Sequence, residues 1–295
     1  METEVQSRLV AGIDVGGTKL DACLVDRAAG QIVGRDRLPT LPERGGRAVL
    51  DDAVALVRRL AGGRQLEAVG IGICELVDPA GTISSAVTVD WTQLDPIAAF
   101  PASAVTIESD VRAAAGAEAL CGAGRRLREP WLYVSVGTGI SYALVLGGRP
   151  YPGARGNAIM VGAPPVEHVA SGLALARAAG RPRAEDVLDD PAHAGLVERA
   201  ARALGEALAF LANALDPALI VMGGGLGLRQ AYRDQAARRM RELIEAETTR
   251  QVRLVGAELG SLAAPLGAAL AGSRGLRSDP TTIARLVDNL SAQRC

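Results

Sequence analysis

Apolar residues occur in short runs broken by glycine and in longer stretches with a three-to-four-residue period, and the two kinds alternate. Leu9 to Asp14 reads as a buried strand that ends on Gly16-Gly17-Thr18. Leu20 to Val25 reads as a second strand, and a third lies around Ile32, after Ala28-Ala29-Gly30. Val49, Ala53, Leu56, Val57 and Leu60 share one helical face, and Gly62-Gly63 closes that helix. Ala68 to Ile73 and Ala104 to Ile107 are further strands. The latter runs into Glu108-Ser109-Asp110 and an Ala-rich helix from Val111 to about Leu120.

The opening pattern then returns. Ile13-Asp14-Val15-Gly16-Gly17-Thr18 lies over Val134-Ser135-Val136-Gly137-Thr138-Gly139 at an offset of 121 residues, strand, turn and following strand together. Such a recurrence points to a duplicated architecture. In the second half, Leu196, Ala200, Leu204, Leu208, Leu211 and Leu215 step along one helix face until Asp216-Pro217 stops it. Leu219 to Met222 is a buried-type strand leading into Gly223-Gly224-Gly225. A strand at Val252 to Val255 follows, with helices near 262–270 and 281–290. Strands alternating with helices predict an α/β fold.

Composition narrows the picture. Among 295 residues, 48% are hydrophobic and the net charge is -1, which argues against a nucleic-acid or anionic-membrane partner. The uncharged stretch 130–148 approaches membrane-spanning length, but Gly137-Thr138-Gly139 interrupts it and two strands account for it better. The N-terminus has no signal-like apolar run, so a cytoplasmic location is expected. Four scattered Cys and two His offer no metal-ligand spacing. Of 32 basic residues only Lys19 is a lysine, and codon bias toward arginine accounts for the imbalance.

Three glycine clusters each follow a strand, at 16–17, 137–139 and 223–225. A single one is explained by a tight turn. Three, two of them in a repeated unit, suggest backbone amides gathered around phosphate in a cleft between related domains. None has the spacing of a P-loop or of a dinucleotide fingerprint. Asp14, at the end of the first strand, is placed to orient a hydrated Mg²⁺. Asp110 opens a helix, and spacing leaves two readings: a proton acceptor for a substrate hydroxyl, or a helix N-cap that Ser109 would fill equally well.

Taken together these segments resemble the ROK (repressor, open reading frame, kinase) sugar kinases of the actin/hexokinase/Hsp70 superfamily. The resemblance runs from Ala11-Gly12-Ile13-Asp14-Val15-Gly16-Gly17-Thr18-Lys19 through Gly70-Ile71-Gly72-Ile73 and Glu108-Ser109-Asp110. It continues with Val136-Gly137-Thr138-Gly139, Gly153-Ala154-Arg155-Gly156 and Ile220-Val221-Met222-Gly223-Gly224-Gly225. It implies two actin-like (ribonuclease H-like) domains with an interdomain cleft, over 1–108 and 109–279, with a C-terminal helix at 280–295 packing back on the first. It further implies phosphoryl transfer from ATP with Mg²⁺ to a 6-type hydroxyl, and a homodimer. Asp110 becomes the general base, and Asp14 orients the metal through water. Gly16, Gly17, Thr18, Lys19, Gly137, Thr138, Gly139, Gly223, Gly224 and Gly225 hold nucleotide and phosphate. Glu75, Ser109, Asp110, Asn157 and Glu167 face the substrate.

The departures concern the sugar side. Where the family has Glu and His in G-E-I-G-H, this chain reads Ile159-Met160-Val161-Gly162-Ala163, and the Cys-rich loop is cut to Pro164-Pro165-Val166-Glu167, so no structural zinc is expected. The family's Pro-Gly is Cys74-Glu75 here, and its Asn is Ser109. Loss of such partners alters hydroxyl discrimination. Glu75 could pair with a substrate ammonium, which suggests an amino sugar such as kanosamine; a solvated loop carboxylate is the alternative. A C7-cyclitol is a second acceptor, and plain glucose a third. A ROK repressor would need a DNA-binding domain ahead of residue 9, and a non-catalytic sugar-binding protein would be expected to lose Asp110 or a glycine turn.

Overall fold

The computed structural model describes residues 8–159 and 166–292. Its helices of seven residues or more are α1 (Gly46–Ala61), α2 (Asp110–Cys121), α3 (Gly172–Ala178), α4 (Ala194–Leu215), α5 (Gln230–Leu243), α6 (Ala263–Gly272) and α7 (Pro280–Ala292). No helix among the described residues is long and apolar enough to cross a membrane. The chain divides into two compact units.

The first unit holds 8–122, 154–157 and 262–292. Its sheet contains β1 (Leu9–Val15), β2 (Lys19–Asp26), β3 (Gln31–Pro39), β4 (Leu66–Ile73) and β5 (Ala102–Ser109), in the order β3-β2-β1-β4-β5. The β1–β2–β3 meander is antiparallel, and β4 and β5 add in parallel on the other side of β1. Val49, Leu50, Ala53, Leu56 and Val57 of α1 are buried against Ile13, Leu20, Leu24 and Ile71, the face expected from their spacing. Gly62, in the left-handed conformation (φ 58°), caps α1 by donating its N–H to the Arg58 carbonyl.

Helix α6 meets this sheet backbone to backbone. A Cβ on Gly12 would stand 1.9 Å from the Pro265 carbonyl oxygen, and one on Gly70 would stand 1.7 Å from that of Ala268. Glycine at these two positions is therefore what lets α6 lie on β1 and β4. The same helix packs on α2, since a Cβ on Gly267 would come within 1.8 Å of the Ala113 carbonyl oxygen. This packing places α2 and α6 with the first unit, whereas the expected 108/109 boundary would have put both in the second. Helix α7 lies on the β2–β3 hairpin: Thr282 Oγ1 donates to the Arg27 carbonyl (3.0 Å) and Asn289 Nδ2 to that of Gly30 (2.9 Å).

The second unit holds 123–153, 158–159 and 166–261. Its strands are β6 (Trp131–Val136), β7 (Ile140–Leu146), β8 (Arg149–Pro150), β9 (Leu219–Gly223) and β10 (Arg253–Gly256). They run in the order β10-β9-β6-β7-β8, which read from the other edge matches the first sheet strand for strand. Antiparallel β6–β7–β8 is followed by parallel β9 and β10. The uncharged stretch is thus the β6–β7 hairpin. Leu204, Leu208, Ala212, Ile220, Met222 and Val134 form its core with α4 and α5. Asp216, at φ 44°, ends α4 one residue before Pro217.

Candidate functional site

In the first unit, β1 carries Asp14 to its C-terminal end and β5 delivers Asp110 to the start of α2. Gly72 of β4 runs between them. A Cβ there would stand 3.6 Å from Asp110 Cα and 3.7 Å from Asp14 Oδ1. Two carboxylates separated by eight dozen residues of chain are thereby brought to one edge of one sheet. Burial is the first cause that raises both above the ordinary aspartate range, Asp110 to about 6 and Asp14 well above its usual value. For Asp14 the charges of Asp110 and Asp21 add to the effect, and Lys19 and Arg37 oppose it. For Asp110 the opposing groups are the Val111 N–H (2.6 Å to Oδ1), the Ser109 hydroxyl and Arg112.

Asp14 Oδ1 is buried and has no hydrogen-bond partner. A buried, unpaired carboxylate oxygen is costly unless a cation or donor meets it, so Asp14 fits the Mg²⁺ expected there. Ser109 occupies the N-cap position of α2 without a side-chain capping bond, and Asp110 Oδ1 accepts the Val111 N–H of the first turn (2.6 Å). The Ser109 hydroxyl is fully buried, close enough to Asp110 to favour its charged form, and makes no hydrogen bond of good geometry.

The first glycine turn joins β1 to β2 at Gly16-Gly17-Thr18. The Gly16 N–H donates to the Lys19 carbonyl (3.1 Å), and Thr40 Oγ1 donates to the Gly16 carbonyl (2.6 Å). The Gly16 amide therefore shapes the turn. Lys19 opens β2, within electrostatic reach of Asp14. Asn157 is exposed, beside buried Gly156.

Glu75 does not match the expectation of a carboxylate open to a substrate ammonium. It is 2% exposed and accepts from Ser85 Oγ and from the N–H groups of Val87 (2.9 Å), Thr88 (2.6 Å) and Val89 (3.0 Å). Both of its oxygens are used by its own loop. Nor is it the solvated carboxylate of the alternative.

In the second unit, Gly137-Thr138-Gly139 and Gly223-Gly224-Gly225 adjoin. A Cβ on Gly137 would stand 3.9 Å from the Gly225 nitrogen. Gly224 is obligatory: at φ 77°, its Cβ would come 2.4 Å from the Val136 carbonyl oxygen. The start of α3 docks here, with Gly172 N donating to the Gly137 carbonyl (2.7 Å) and Leu173 N to that of Thr138 (3.2 Å). Glu167 Oε1 lies beside Gly139, 2.7 Å from where a Cβ would stand. Of the altered sugar stretch, Met160 to Ala163 and Pro164-Pro165 lie outside the described residues.

Two features escaped the sequence reading. Asp21, 1% exposed, pairs with Asp14 across β1 and β2 and is held by the guanidinium groups of Arg35 (Nη2, 3.1 Å) and Arg37 (Nε, 3.1 Å). The alternation Lys19, Asp21 on β2 and Arg35, Arg37 on β3 carried that signal. Arg112, 3% exposed, donates to Glu108 (2.8 Å) and to the carbonyls of Val77 (2.7 Å) and Gly156. A lone Arg four residues after a Glu, in an alanine run, marked it.

The ROK family model matches residues 10–273. A glucokinase of Streptomyces coelicolor is 28% identical, over 88% of this chain and 96% of that protein. A kanosamine kinase of Amycolatopsis mediterranei is 29% identical over 72% of this chain and 79% of its own. The crystal structure of a ROK family glucokinase from Streptomyces griseus, in complex with glucose and AMPPNP, superposes with a TM-score of 0.77 at 26% identity, covering 88% of this chain and 98% of that one. Motifs, strand order and these likenesses agree: the chain belongs to the ROK family.

Proposed function

We propose that this ATP-dependent sugar kinase transfers the γ-phosphoryl group of ATP to a primary hydroxyl of a hexose-type acceptor, with Asp110 as general base. The observation that carries the reading is the half-buried Asp14–Asp110 pair at one sheet edge, two carboxylates with different surroundings. Asp110 takes the hydroxyl proton, the freed oxygen attacks the γ-phosphorus, and the bond to the β,γ-bridging oxygen breaks to release ADP. A carboxyl near 6 is ionised at neutral pH yet basic enough to accept that proton. Asp14 would hold Mg²⁺ through water, and the metal supplies charge neutralisation on the phosphates. Thr18, Lys19, Thr138 and the glycine loops are the phosphate contacts in this reading, with Gly16 and Gly137 setting their turns.

In this reading the acceptor is a hexose or a carbocyclic analogue of one. Glu75 gives no support to an ammonium partner, because its oxygens are taken. An amino sugar stays in the test because a kanosamine kinase is among the relatives.

ADP release should be measured with glucose, glucosamine, kanosamine, N-acetylmannosamine and C7-cyclitols, with Asp110→Asn run beside the wild type. On the best acceptor the variant should lose about 10²–10⁴-fold in kcat, the usual worth of a positioned base. Near-normal turnover by Asp110→Asn would end the general-base assignment.

A further inference from the structure

Residues 75–89 form a loop closed on itself. Val77 and Ile83 make an antiparallel bridge, Ser84 N donates to the Leu76 carbonyl (2.8 Å), and Leu76 N donates to Ser85 Oγ (2.9 Å). Inside it lies the Glu75 carboxylate, taking four donors from Ser85, Val87, Thr88 and Val89. Val87, between two of these donors, is 88% exposed, so the loop contributes little apolar burial of its own there. Its conformation rests on a buried charge that backbone N–H groups surround, an arrangement worth more than neutral hydrogen bonds.

The loop starts at the catalytic carboxylate. Gly72, two residues before Cys74, lies against Asp110 and Asp14. The Cys74 thiol lies within electrostatic reach of Asp110 and is hydrogen-bonded with the Thr88 side chain. Arg112, two residues after Asp110, donates to the Val77 carbonyl (2.7 Å). Opposite buried charges thus hold the loop at its entry, one from within and one from the helix that carries Asp110.

We propose that Glu75 is a positioning residue for the acceptor: by clasping residues 85–89 it fixes the loop that leaves the sheet beside Asp110, and so sets which acceptors present a hydroxyl to that carboxylate. The proposal rests on the kinase reading and assigns its specificity to a residue that touches no substrate.

The test is Glu75→Gln in the full chain, read in two ways. Hydrogen exchange without acceptor should speed up at the Val87, Thr88 and Val89 amides by about tenfold or more, because glutamine offers one acceptor oxygen where the carboxylate offers two. In steady state, the acceptor KM should rise about five- to fiftyfold while the KM for ATP stays within about twofold, and discrimination among acceptors should narrow. Faster exchange with an unchanged acceptor KM overturns the proposal, since the clasp is then structural only. Unchanged exchange overturns the clasp itself, and an equal rise in both KM values removes the specificity role. Should Glu75→Gln fail to fold, Ser85→Ala keeps the charge and removes one donor. It should raise the acceptor KM about two- to fivefold, and no change there overturns the proposal as well. Wild-type turnover tests the kinase reading separately.

Discussion

Asp110 carries an energetic cost that the proposed general-base role would explain. Its carboxyl is pushed to about 6 chiefly by burial, so the charged form is held in surroundings that disfavour it. Two consequences follow for pH. The base must be ionised to accept a proton, so kcat/KM should fall on the acid side with an apparent midpoint near 6. That midpoint belongs to the coupled Asp14–Asp110 pair. The second concerns stability. The folded state binds this proton more tightly than the unfolded chain, so the contribution is present below about pH 4 and is lost as pH rises through about 6. Asp110→Asn should therefore stabilise the fold at pH 8 by something on the order of 1 kcal/mol, read as a higher melting temperature, with the gain vanishing near pH 4. A difference that does not change with pH would show that the carboxylate is not under strain.

At the level of single helices and strands, the site depends on how closely α6 approaches the sheet. Asp110 stands at the start of α2, α2 packs on α6, and α6 lies on β1 and β4 where Gly12 and Gly70 leave room. A methyl at Gly70 would fall 1.7 Å from the Ala268 carbonyl oxygen, a backbone atom that cannot swing aside. Gly70→Ala should cost about 2–4 kcal/mol in urea unfolding, in the range of overpacked cores and above. A midpoint shift worth less than about 0.5 kcal/mol would mean that α6 can retreat without cost. The turns behave differently. Gly224 is fixed by its positive φ and by Val136, whereas Gly16 has no positive φ, meets only the Lys19 carbonyl oxygen (3.2 Å from where a Cβ would stand) and serves a hydrogen-bonded turn.

Across the chain, one topology is used twice for different chemistry. The first strands of the hairpins repeat at an offset of 121 residues and the second strands at 120, so the cross-strand pair Asp14–Asp21 in the first corresponds to Ser135–Ser141 in the second. The carboxylates proposed for base and metal are gathered in the first unit, and the second presents hydroxyls and glycines. Nucleotide binding that needs the metal should appear as linkage. AMPPNP with Mg²⁺ at about 100 times its dissociation constant should stabilise the fold by about 2.7 kcal/mol, and EDTA should remove most of that gain. A melting temperature insensitive to EDTA would argue against a metal role for Asp14.

Much of this was legible in the amino-acid order. Strand and helix periods, the 121-residue repeat and the glycine turns are local or self-similar patterns, and the motifs around Asp14 and Asp110 carried the family resemblance. Local order could not reveal what depends on contacts between distant segments. Glu75 pointed to a substrate ammonium or to solvent because its donors lie ten to fourteen residues further on. For Arg112 the spacing to Glu108 is local, but its other partners, Val77 and Gly156, arrive from elsewhere in the chain. Asp21 shows its surroundings only where two arginines of β3 enclose it. In each case the side chain's type was plain, and its role was set by which backbone groups the fold brought to a buried charge, where an unpaired one could not have remained.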